Sequence, residues 1–227
     1  MAPIHEAARV GDAETLRREL ARGVSPNAHA ATVLTTGNFG STPLFIASGH
    51  SRTDCVRILL QAGADPNMRV LNTKATALHA AAGAYATAAN SDCKLSLDCI
   101  RMLLDAGASV NVRTTYFRWT AMDYVYNRRQ RNYSAVYPLL LRAGSELPKE
   151  ESQTGWAPLS ENPYLSRIVR AGSFKNYQRA HREALTRTLS PRFALPPELV
   201  RTIVEFYLHA GFYPFTEVPA TAPTATA

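Results

Sequence analysis

Apolar residues recur three and four positions apart in short runs, and each run stops at a glycine. Val56, Leu59 and Leu60 form such a stripe before Gly63, and Ile100, Leu103 and Leu104 repeat it before Gly107. That spacing predicts amphipathic helices with one buried face. Glycine suits the left-handed residue that closes a helix. Leu139-Leu140-Leu141-Arg142-Ala143-Gly144 follows the same course, as does the stretch from Leu16 to Gly23.

A second unit precedes each of these stripes. Pro3-Ile4-His5-Glu6-Ala7-Ala8, Thr42-Pro43-Leu44-Phe45-Ile46-Ala47, Thr76-Ala77-Leu78-His79-Ala80-Ala81 and Thr120-Ala121-Met122-Asp123 share one frame. Threonine before Pro or Ala predicts a helix cap, and proline at the first helical position sacrifices no bond. The small alanines predict a close approach by a neighbouring helix. Two helices, a glycine turn and an extended excursion therefore recur four times, which predicts stacked equivalent layers.

This frame resembles the ankyrin repeat, whose T-P-L-H-x-A signature these segments partly match. The resemblance covers residues 1–147 and implies an all-α solenoid of four helix-turn-helix repeats with finger loops, followed by a C-terminal helical extension. The first copy begins almost at Met1 and would serve as the N-terminal cap, a role that the polar Glu6, Arg17 and Arg18 suit. Thr42 to Gly63 spans 21 residues, but Thr76 to Gly107 spans 31 and Thr120 to Gly144 spans 24. Gly23 to Thr42 is 19, against 13 for the two later inter-repeat steps. Insertions are thus expected in the first finger, Ala28 to Ser41, and in a loop between helices from Gly83 to Leu97.

The frame fails after Leu147. Residues 148–163 read as a linker rich in turn formers, 164–215 as a helical C-terminal region, and 216–227 as a disordered tail rich in Pro, Thr and Ala. Helices are expected over Pro163–Ala171, Phe174–Leu189 and Pro196–Leu208. Leu195, Pro196, Glu198, Leu199, Ile203 and Phe206 resemble the opening helix of an F-box. That similarity implies docking to a ubiquitin ligase subunit; a plain helical cap over the last repeat is the competing expectation.

Composition narrows the classes of chemistry. The 227 residues carry 25 basic and 18 acidic side chains, a formal charge of +7, with the basic residues scattered along the chain. Nucleic acid is a weaker expectation than protein, through Arg113, Arg118, Arg128, Arg129, Arg131 and the run Arg167 to Arg192. No run reaches the roughly 18 apolar residues of a membrane span, and no secretory signal opens the chain, so a soluble intracellular protein, cytoplasmic or nuclear, is expected. Cys55, Cys93 and Cys99 show no C-x-x-C spacing. Cys55 and Cys99 are expected as core residues of an inner helix, and Cys93 as an exposed thiol of the inserted loop.

No phosphate loop and no nucleophile elbow occurs, and carboxylates such as Glu14, Asp54, Asp65 and Asp98 recur in frame as helix starts and turns. The chain is expected to be no enzyme, with no cofactor and no metal. His5 and His79 share a frame position that, by the ankyrin resemblance, serves hydrogen bonds between repeats. His29 and His50 have no second ligand at metal spacing, and His181 and His209 are isolated from each other in sequence and lack a local carboxylate partner.

What remains is a surface. The resemblance implies partner binding along finger tips and first helices. The third finger offers Arg113, Tyr116, Phe117, Arg118 and Trp119, side-chain types that dominate interface energetics. The second offers Arg69, Leu71, Asn72 and Lys74, and the first adds Asn38 and Phe39. For Phe117 and Trp119 the competing expectation is packing onto the helices beneath.

Overall fold

A computed structural model describes residues 2–31, 39–87, 92–127, 135–148, 159, 162–193, 196 and 198–200. The chain divides after Glu161 into two compact units. Among the described residues the regular elements are all helices.

The first unit holds α1 (Pro3–Val10), α2 (Ala13–Ala21), α3 (Pro43–Gly49), α4 (Thr53–Gln61), α5 (Ala77–Thr87), α6 (Asp92–Asp105), α7 (Ala121–Tyr126) and α8 (Val136–Arg142). They form four consecutive helix pairs. First helices pack on first helices, α1 on α3, α3 on α5 and α5 on α7, while α4 packs between α2 and α6. The stripes foreseen in the sequence supply the interior: Leu16, Val56, Leu59, Ile100, Leu103 and Leu140 are fully buried. Burial of such side chains is worth about 2 kcal/mol each and holds the layers together.

The caps explain where the helices start and stop. The Thr42 hydroxyl accepts from the Phe45 amide at 3.2 Å, and Thr120 and Asp123 form a reciprocal capping box. The second helices end on Gly23, Gly63, Gly107 and Gly144, all with φ between 82° and 88°. After each, the next amide reaches five residues back, as Ala64 does to the Leu59 carbonyl at 2.9 Å.

The expected loop at Gly83–Leu97 is corrected by the structure. Compared with α3 and α4, α5 is four residues longer and α6 five longer, and the connection between them grows by one. The ten extra residues thus lengthen both helices, and they are packed: Tyr85, Ala86 and Ser96 are buried, and the Ser96 hydroxyl lies 2.6 Å from that of Ser51. Sequence spacing counted the insertion but could not say that an alanine-rich stretch without proline would simply continue its helix. Cys93 consequently sits half-buried in the first turn of α6. Cys55 and Cys99 are buried, as expected, on α4 and α6, the second helices of their pairs.

The second unit contains α9 (Pro163–Arg170) and α10 (Phe174–Phe193). Asn162 caps α9 by accepting from the Tyr164 and Leu165 amides at 3.0 Å. Tyr177 meets Tyr164 edge-on and stacks on His181. Residues 198–200 are helical. Leu195, Ile203, Phe206, His209, Asn38, the Arg128–Arg131 cluster and the 216–227 tail lie outside the described residues.

Candidate binding surface

Each excursion between helix pairs is fastened at its base by a backbone bond. Ala30 donates to Ser41 at 2.9 Å, Val70 to Ala75 at 2.8 Å and Thr114 to Trp119 at 3.0 Å. Adjacent fingers are also bonded to each other. The Leu71 amide donates to the Phe39 carbonyl at 3.2 Å, and the Thr115 amide to the Thr73 carbonyl at 2.9 Å. Three fingers therefore form one continuous backbone surface, not three separate flaps.

Histidine and asparagine hold this surface to the helices. The Nε2 of His79, on α5, donates to the Val112 carbonyl at 2.9 Å, with the Trp119 carbonyl 3.2 Å away. Its Nδ1 accepts from the Thr76 amide at 3.1 Å. A backbone N–H can only donate, so the ring must be neutral with its proton on Nε2. Burial enforces the same state and pulls the His79 pKa down to about 4. Two pairs away, on α1, His5 makes the corresponding bond through Nε2, 2.9 Å from the Ala28 carbonyl. The expected role of these two histidines between repeats is thus realised. His29 closes the first finger through Nδ1, 2.6 Å from the Gly40 carbonyl.

The asparagine ladder was in the sequence but its purpose was not legible there. The Asn67 amide donates to the Gly107 carbonyl at 3.1 Å, and its oxygen accepts from the Ser109 amide at 2.7 Å. Asn27 bonds in the same way to Gly63 and Asp65, and Asn111 to Gly144 and Glu146. Each asparagine satisfies turn groups of the following layer, so the partner lies over thirty residues away.

The predicted partner-binding residues divide into two kinds. Tyr116 and Phe117 are 73% and 58% exposed, Leu71 is 45% and Phe39 41%, and Arg69, Lys74 and Arg118 also face solvent. The others serve the fold. Trp119 is half-buried, with Phe117 stacked on one side at 4.8 Å and Tyr124 of α7 edge-on at 5.2 Å. The Arg113 guanidinium donates to Glu146 at 2.8 Å and to the Arg118 carbonyl at 3.2 Å. Asn72 is half-buried and accepts from the Thr73 amide. In the second unit Pro196, Glu198 and Leu199 are exposed, and Val200 is buried.

Several of the titratable groups elsewhere are tied up within the fold. Asp54 pairs with Arg57 and Asp98 with Arg101, each within one helix, and Asp65 accepts from the Asn67 amide. Among the described residues no three His, Cys, Asp or Glu side chains come together as a metal site. No helix among them is long and apolar enough to cross a membrane.

Helix pairs stacked in register, with bonded fingers along one edge, define a repeat scaffold of the protein-interaction class. Residues 4–114 match the family model of ankyrin repeats in three copies, so this segment is an ankyrin-repeat array and a protein–protein interaction module. The fourth helix pair lies beyond that match and carries the same glycine turn and the last rung of the asparagine ladder. Comparison with curated proteins gives no match.

Proposed function

We propose that the protein binds another protein along the edge formed by its three fingers and performs no catalysis of its own. The supporting observation is the continuity of that edge: Phe39, Leu71, Tyr116 and Phe117 are exposed on hairpins bonded to one another. Large apolar side chains on a rigid backbone lose little entropy on binding, which favours affinity. Immobilised full-length protein should capture a defined partner, and Tyr116→Ala/Phe117→Ala should lose it while circular dichroism stays unchanged. Retention of the same partner by the double variant, with Leu95→Ala on α6 as a control, would overturn the assignment.

A second reading makes the array a substrate-recruiting adaptor of a ubiquitin ligase. It is favoured by the helical turn at 198–200, where Leu199 is exposed and Val200 is buried. Truncation after Glu151 should abolish co-purification of ligase subunits; their absence from preparations of the full chain would remove this reading.

A further inference from the structure

Lys74 and Arg118 both occupy the left-handed region, with φ of 55° and 53°. They stand at one frame position, immediately before the residue that closes the hairpin base, Ala75 or Trp119. In the first finger that position is Gly40, with φ of 72°. Left-handed backbone is disfavoured for any residue with a Cβ, and glycine is the residue the geometry asks for. Among the described residues one further non-glycine residue has positive φ, Ser51, and it places its hydroxyl against Ser96 of the next pair. The backbone of Lys74 and Arg118 serves its own hairpin, the Lys74 amide donating to the Val70 carbonyl at 2.9 Å and the Arg118 carbonyl accepting from Arg113 at 3.2 Å. Their charged side chains secure nothing comparable: both residues are exposed, and neither forms an ion pair among the described residues, so a cation stands where the backbone favours glycine and its charge faces outward.

The surroundings say what that contact is. Residues 66–76 and 110–120 contain Arg69, Lys74, Arg113 and Arg118 and no carboxylate. Arg113 alone among these pairs with an acid, Glu146. Beside the unpaired cations stand Leu71, Tyr116 and Phe117, all exposed. Equivalent positions in neighbouring fingers lie two strand widths apart, roughly 10 Å. An extended chain with three residues per turn returns to the same side every roughly 9 Å. We infer that the finger edge takes an extended acidic polypeptide segment bearing aromatic side chains, its carboxylates meeting Lys74 and Arg118 in succession. This rests on the reading of the fingers as the binding edge and adds the chemistry of the partner.

The test uses full-length protein and a fluorescent random copolymer of glutamate and tyrosine, with polyglutamate and oligothymidylate alongside. The copolymer should bind at low salt, more tightly than polyglutamate. Lys74→Gly/Arg118→Gly should weaken it by about tenfold, because two charge contacts are removed. The melting temperature of that variant should hold or rise, because glycine relieves both left-handed positions. A merely structural role for the two side chains predicts the opposite pairing, lower stability with unchanged binding, and overturns the inference. So does copolymer binding that survives the double substitution, since it then belongs to other cations of the chain. Absence of copolymer binding overturns it too. Oligothymidylate bound as tightly, with the same dependence on Lys74 and Arg118, would make the partner a nucleic acid instead. If the copolymer fails while Tyr116→Ala/Phe117→Ala still loses its captured protein, the finger edge stands and only the acidic assignment falls.

Discussion

Asn111 is bonded to the last glycine turn across the boundary between two helix pairs: its amide donates to the Gly144 carbonyl at 2.9 Å. Its oxygen accepts from the Glu146 amide at the same distance. Replacing it by alanine removes both bonds and leaves one donor and one acceptor of the turn to solvent. The expected loss is about 1–2 kcal/mol, read from urea midpoints. Asn67→Ala should cost a similar amount, and both should leave the Tyr116 surface able to bind.

Gly40 combines a backbone demand with a packing one. At φ of 72° an added Cβ would lie 2.4 Å from the Leu71 Cγ. Gly40→Ala should destabilise the protein by about 1–3 kcal/mol, part from the left-handed backbone and part from the clash. Gly40→Ala/Leu71→Ala should recover the part of the clash made by Cγ and Cδ1, but neither the backbone share nor the 2.9 Å approach of the Leu71 Cβ. Additive losses in a double-mutant cycle would contradict the contact between first and second fingers.

Acid should loosen the array before it protonates the folded state. The His79 pKa is about 4 in the folded protein, against an ordinary value of 6.5. Between those values the unfolded chain binds a proton that the folded one does not, so stability falls as pH drops through that window and is fully present above it. The loss from this residue approaches roughly 3 kcal/mol near pH 4. His5, also lowered by burial, contributes with the same sign. Urea midpoints at several pH values check this, and His79→Gln should flatten the dependence.

Thiol chemistry separates the three cysteines. Cys55 and Cys99 are fully buried, and burial pushes the Cys99 thiol up to about 12. Cys93 is half-buried near the start of α6. A thiol reagent should modify the native protein once, at Cys93, and reach the other two only on unfolding. Rapid triple labelling of native protein, followed by mass spectrometry, would contradict the packing of α4 and α6.

The layers were legible because their signals are local. Thr42-Pro43, the stripe Val56-Leu59-Leu60 and the closing Gly63 each act within one turn of helix, and the structure uses them as the spacing foretold. Contacts between layers were legible only in kind. Asn67 recurs in frame with Asn111, but nothing near it in the chain says that it reaches Gly107. Trp119 shows the same limit on the surface. The sequence left partner binding and packing onto the helices beneath both open for it, and the structure packs it against Tyr124, which comes from the next helix. Lys74 and Arg118 were visible as cations; their left-handed backbone was not, because neither residue type announces it.

The lengthened third pair carries a constraint of its own. Its additional residues turn with the helix, so removing one from α5 or α6 would rotate everything beyond it by about 100°. Tyr85 or Ser96 would then swing out of its berth. Shortening that survives should come in whole turns, made on both members together. A loop of equal length would have tolerated trimming one residue at a time.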